Sequence, residues 1–134
     1  MSRHLTPKGI CAPFARYAHA VEVEAEARML FVSGQLGVAP DGSVPEGAEA
    51  QATRCLANIA AILAEAGMEP ADLVRLNAYV TDRSHLPAYM RARDAFIAHL
   101  DEPPASTLMI VAGFARPELL VEVEAVAARR EAAS

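Results

Sequence analysis

Pro104-Ala105-Ser106-Thr107-Leu108-Met109-Ile110-Val111, followed by Leu120-Val121-Glu122-Val123-Glu124-Ala125-Val126-Ala127, decides the fold of this chain. Each run is short and apolar enough to be a β-strand. In a strand, residues two apart share a face, so Glu122 and Glu124 point one way while Val121, Val123 and Ala125 point the other. A carboxylate in apolar surroundings beside a cleft gains proton affinity, which suits general acid–base chemistry near neutral pH. An edge strand with a solvated polar face is the alternative reading of the same alternation.

Upstream, the period changes. Ala52, Cys55, Leu56, Ile59, Ile62, Leu63 and Ala66 recur at steps of three and four, predicting a helix from about 48 to 66 with one apolar stripe. Gly67 follows where a left-handed C-terminal cap belongs. Val74, Leu76, Ala78 and Val80 alternate with Arg75, Asn77 and Tyr79, which predicts a strand over 73–80. Ser84 is read as the cap of a second helix over 86–99, which Pro103-Pro104 ends. Tyr17 to Val23 and Met29 to Ser33 read as short strands joined by a hairpin turn over 24–28, with another short strand near His4-Leu5-Thr6. The charged tail from Arg129 to Ser134 is expected to fray.

This order predicts an α+β fold, one sheet with both helices on one face. The other sheet face is apolar enough that association between copies is the expected way of covering it.

Length and composition narrow the function classes. A chain of 134 residues fits one domain over 1–134. Hydrophobic residues make up 53% and charged residues 22%, the balance of a packed globular chain rather than a disordered one. The net charge of −5 comes without a basic cluster beyond Arg129-Arg130, which argues against nucleic-acid binding. No apolar leader follows Met1-Ser2-Arg3-His4, and no run is long enough to span a bilayer, so a soluble cytoplasmic protein is expected. Cys11 and Cys55 do not suggest a disulfide framework, and Cys55 lies on the apolar helix stripe. His4, His19, His85 and His99 lack metal-ligand spacing, and no motif calls for a cofactor.

Several segments together resemble the Rid family, also called YjgF/YER057c/UK114. They are Phe31-Val32-Ser33-Gly34-Gln35, the helix around Asn58-Ile59, Leu76-Asn77-Ala78-Tyr79-Val80-Thr81-Asp82, Pro104-Ala105, and Val121 to Ala127. The resemblance implies a chorismate-mutase-like α+β fold with one mixed sheet and two helices on one face, and a homotrimer with ligand clefts between subunits. It implies hydrolysis of enamines and imines such as 2-aminoacrylate to 2-oxo acids and ammonia. Carried over by position, it assigns Glu122 to the water-directing carboxylate. Tyr17, Ser33, Gly34 and Gln35 fall in the substrate cleft, joined by Ser106, Thr107 and Leu108 on the preceding strand.

The chain departs from the family at that cleft. Ser106 stands where active members carry the Arg that holds the substrate carboxylate, Leu108 replaces a frequent Cys, Met90 a frequent Asn, and Arg16 a Pro. A guanidinium makes two charge-assisted hydrogen bonds to a carboxylate, each worth on the order of 1.5–3 kcal/mol, and a serine offers one neutral donor. Loss of that clamp predicts poor turnover of 2-aminoacrylate, with Arg16 and Arg116 as candidate replacements. Glu124 is read as structural. The alternatives are a trimer that binds a small metabolite without chemistry and, last, an endoribonuclease, which the acidic charge opposes.

Overall fold

Helix α1 (Ala48–Glu65) forms where the three–four spacing predicts it, and it buries Gln51, Ala52, Cys55, Leu56, Ile59 and Leu63. Gly67 closes it in the left-handed region at φ 70°, a conformation that Gly adopts without the Cβ penalty. The computed structural model describes residues 2–131; Ala132 to Ser134, part of the tail expected to fray, lie outside them.

In chain order the strands are β1 (Arg3–Leu5), β2 (Ala20–Glu22), β3 (Arg28–Leu36), β4 (Leu73–Val80), β5 (Ala105–Ile110) and β6 (Val121–Arg129), with α2 (Leu86–Phe96) between β4 and β5. Four of them form one mixed sheet in the order β3-β6-β4-β5, in which only β4 and β5 run parallel. Leu76, Ala78, Val80, Val121, Val123, Ala125 and Ala127 point from this sheet into a core shared with α1 and with Tyr89, Ala92 and Ile97 around α2. The α+β class, the mixed sheet and the two helices agree with the sequence reading. The opposite sheet face is uncovered in the single chain, where Phe31 is 74% exposed and Met29 and Met109 about half.

Several local expectations are corrected. β2 is three residues long and pairs with β1, not β3, so residues 24–28 are no hairpin turn. Glu26 turns the chain there at φ 68° without Gly or Asn, a connection that sequence signals rarely reveal. The strand order, which the sequence reading left open, separates the two C-terminal strands: β6 inserts between β3 and β4 and leaves β5 at the edge. Ser84 does not cap α2: it lies inside a 3-10 turn, where the Asp82 carboxylate accepts its backbone N–H at 2.9 Å. α2 starts with Pro in its first turn and ends at Phe96, not His99. The tail is also held further than expected, since Arg129 closes β6 and pairs with Asp72 at 3.0 Å.

Candidate functional site

Glu122 lies on the uncovered side of β6, half-buried, with Val121 and Val123 fully buried on the other side. Strand β3 meets it with a bulge: Val32 pairs with Ala125 and Gln35 with Val123, so Ser33 and Gly34 stand opposite Glu124 alone. The bulge brings Gly34 under the Glu122 side chain. A Cβ built at residue 34 would lie 2.6 Å from Glu122 Cδ and 2.9 Å from Oε2. The missing side chain is therefore what lets this carboxylate lie against the β3 backbone. Gln35 completes the bulge by donating from Nε2 to the Ser33 carbonyl at 3.0 Å.

The same sheet face carries polar groups that the sequence reading passed over. Tyr79 stands opposite Glu122 in the β4–β6 register, and its hydroxyl donates to the Glu124 carboxylate. That bond, together with burial and the charges of Glu124 and Glu122, raises the proton affinity of the Tyr79 phenol. Arg75 donates to Asn77 Oδ1 at 2.9 Å and to Thr107 Oγ1 at 3.0 Å, while the Thr107 N–H donates to the same Asn77 oxygen at 3.0 Å. The period-two alternation of 73–80 already placed Arg75, Asn77 and Tyr79 on one face. What it could not show was that this is also the face of Glu122.

Tyr17, Ser106, Thr107 and Leu108 gather at the far edge of the sheet. The Ala18 N–H donates to the Pro104 carbonyl at 3.0 Å and Ala18 forms a parallel bridge with Ala105, which ties the Tyr17 segment to the start of β5. Tyr17 packs edge-on against His19 at 5.9 Å and accepts the Phe14 N–H at 3.4 Å. Leu108 packs against the core, so Ser106 shares the helix side of β5, whereas Thr107 faces Arg75 and Asn77.

Glu122 is level with Met109 across β4. Two strand spacings and three residues of rise then separate it from Ser106 by roughly 14 Å. Within one chain the predicted residues fall into two groups, candidate half-sites: Glu122 with Ser33, Gly34 and Gln35, and the edge-strand residues Ser106 and Leu108 on the helix side and Thr107 on the other, with Tyr17 alongside.

Both candidate replacement guanidinium groups have partners within the chain. Arg16 donates through Nη2 to the carbonyls of Ile97 and Leu100, closing the C-terminal end of α2. Arg116 pairs with Glu118 at 2.8 Å. Cys55 is fully buried, and burial pushes its thiol up to about 12, so it is no nucleophile. Among the described residues, no group of three or more His, Cys, Asp or Glu is placed to hold a metal, and no helix is long and apolar enough to cross a membrane. Hollows of about 620 Å³ beside Pro45 to Ala57 and about 650 Å³ between His4, Leu100 and Arg129 include neither Glu122 nor Ser106.

A mixed four-stranded sheet, two helices on one face and a carboxylate seated on a glycine bulge of the other define a small α+β protein. The Endoribonuclease L-PSP family profile matches residues 9–129, and the chain belongs to this family, that of the Rid proteins. The 2-iminobutanoate/2-iminopropanoate deaminase of Escherichia coli strain K12 is 30% identical over 132 residues, 97% of this chain and 100% of the relative. A RutC family protein of Aquifex aeolicus is 40% identical over 78 residues, 58% of this chain and 59% of that relative, so this match spans less than two thirds of the relative's length. The crystal structure of the Rid protein YyfB from Yersinia pestis gives a TM-score of 0.81 at 33% identity, covering 94% of this chain and 97% of that one. That of Escherichia coli TdcF with bound serine gives 0.71 at 26%, covering 87% and 91%.

Proposed function

We propose that this protein is an imine or enamine deaminase acting on a small metabolite in clefts between the subunits of a homotrimer. The observation that carries the reading is the seat of Glu122 on Gly34. A carboxylate held against a strand backbone, beside Tyr79 and Glu124 on the uncovered sheet face, is placed to take a proton from water as that water adds to the carbon of a C=N bond. That proton passes on to the nitrogen to give the carbinolamine; the carbinolamine hydroxyl then gives up its proton, which reaches the amine by way of the same carboxylate, the C–N bond breaks, and a carbonyl product and ammonia leave. An enamine enters the same sequence after tautomerising to its imine.

The separation of the two half-sites supports a shared cleft. Glu122 lies near one sheet edge on the uncovered face and Ser106 on the other edge strand toward the helix side, so a single chain does not bring them together and a cleft that used both would draw one half-site from each of two copies. A small amino-acid-derived ligand is supported by the relatives, since one is named for 2-imino acids and another was crystallised with serine.

Ser106 supplies one neutral hydroxyl where a carboxylate clamp is expected. The proposed substrate is therefore an imine that does not depend on a two-pronged carboxylate contact, and 2-aminoacrylate is a poor one. Loss of the clamp costs roughly 10²-fold in positioning a small 2-imino acid.

The test is the rate of ammonia release from a panel of imines generated in the assay, 2-imino acids by an amino-acid oxidase and imines without a carboxylate by an amine oxidase. Rates should exceed the uncatalysed ones for at least one apolar imine and fall to background in Glu122→Ala. Equal rates for wild type and Glu122→Ala would remove the reading. A ligand that raises the melting temperature without ammonia release would favour the binding trimer instead. RNA cleavage that depends on Glu122 would favour the endoribonuclease.

A further inference from the structure

Gln51 is polar, 2% exposed, and on the buried stripe of α1. Its amide is fully used. Nε2 donates to the Pro45 carbonyl at 3.1 Å and the Glu118 carbonyl at 2.9 Å, and Oε1 accepts the Leu120 N–H at 2.8 Å. Two carbonyls and one N–H fit a primary amide in one orientation only, so the contacts fix the side chain as well as being fixed by it.

These contacts lie where the two strands of the Glu122 half-site end. Leu120 is two residues before Glu122, and Leu36 pairs with Glu122 across the sheet. The next residue, Gly37, packs so closely on Gln51 that a Cβ there would lie 2.7 Å from the Gln51 Cβ. Further along α1, Cys55 donates to the Val121 carbonyl at 3.7 Å and Asn58 to the Leu36 carbonyl at 3.4 Å. The short amide bonds of Gln51 set the approach to β6, and its Cβ sets how near the end of β3 can come.

We infer that Gln51 is a positioning residue: from the helix side of the sheet it fixes the height of Glu122 over Gly34 on the other side. The inference deepens the deaminase reading and rests on it for its catalytic consequence, but not for its geometric one. Removing the amide leaves the Leu120 N–H and the Glu118 and Pro45 carbonyls without their buried partner. The 118–120 segment then shifts, and Glu122 shifts with it.

The experiment compares Gln51→Met with Gln51→Glu, which matches glutamine in shape, keeps an acceptor for Leu120 and, protonated in this buried place, retains one donor for the two carbonyls. The first readout is NMR of the whole chain: cross-strand contacts between Gly34 and the Glu122 side chain, and exchange protection of the Leu120 amide. Both should be lost in Gln51→Met and kept in larger part in Gln51→Glu. The second is ammonia release from the best imine of the panel, where kcat should fall about 10- to 100-fold in Gln51→Met with KM within about twofold. Gln51→Glu should recover part of that loss. If Gln51→Met does not fold, Gln51→Glu alone carries the test, through a weakened Gly34–Glu122 contact. Gly34–Glu122 contacts at wild-type strength in the folded variants would overturn the inference, whatever the activity. Wild-type turnover by Glu122→Ala would instead sink the deaminase reading and leave this geometry standing.

Discussion

Gly34 and Glu122 share one space: the carboxylate fills the volume a Cβ at residue 34 would occupy, 2.6 Å from Cδ. The obstructing atoms belong to the end of a flexible side chain. Gly34→Ala should therefore displace the carboxylate rather than the strand. The expected outcome is a melting temperature within a few degrees of wild type and a kcat/KM on the best imine lower by about 10²-fold. Thermal unfolding and steady-state kinetics on the same preparation check it.

Ser106→Arg should do the reverse for one substrate class. A guanidinium at residue 106 restores a two-pronged contact for a carboxylate, so turnover of 2-iminopropanoate should rise by about tenfold or more. Turnover of imines lacking a carboxylate should stay level or fall. Unchanged selectivity would show that residue 106 does not meet the substrate.

Arg16 is predicted to matter for stability and not for substrate binding. Its guanidinium serves the Ile97 and Leu100 carbonyls at the end of α2. Arg16→Ala should cost about 1–3 kcal/mol in urea unfolding, as removal of a charged donor from partly buried carbonyls does. KM for imino acids should be the same in both proteins.

Tyr79 gives a pH signature. Its phenol is held above the ordinary tyrosine value, first by the hydrogen bond to Glu124. A folded-state value raised above the unfolded one means a stabilising contribution fully present below the ordinary tyrosine range, lost as pH rises through the elevated value. Urea midpoints of wild type should therefore exceed those of Tyr79→Phe at pH 8 and converge toward them above pH 10. A gap that is constant over this range would exclude the bond as its source.

What could be read in advance follows from where periodicity is strong. The apolar stripe of 48–66 and the alternation over 73–80 and 121–127 each repeat often enough to fix element and face, and α1, β4 and β6 appear there. Glu122 was legible for the same reason. Connections were not. Glu26 takes a left-handed turn without the residues that usually mark one, and Ser84 was outcompeted by Asp82 as the local acceptor. The bulge at Ser33 and Gly34 is a property of pairing between strands far apart in sequence, so no local pattern announces it. Gln51 was overlooked although a signal existed: it stands four residues before Cys55, a polar side chain at core spacing in a helix.

The mixed sheet gives residues 106 and 122 unequal freedom. β6 is hydrogen-bonded along both sides, by β3 and β4, whereas β5 has one full strand neighbour and a single bridge beyond it. A replacement on that border strand perturbs little of the interior lattice around the carboxylate. On the proposed reading, a change at residue 106 would alter what the protein recognises while leaving the strand pairing that seats Glu122 in place.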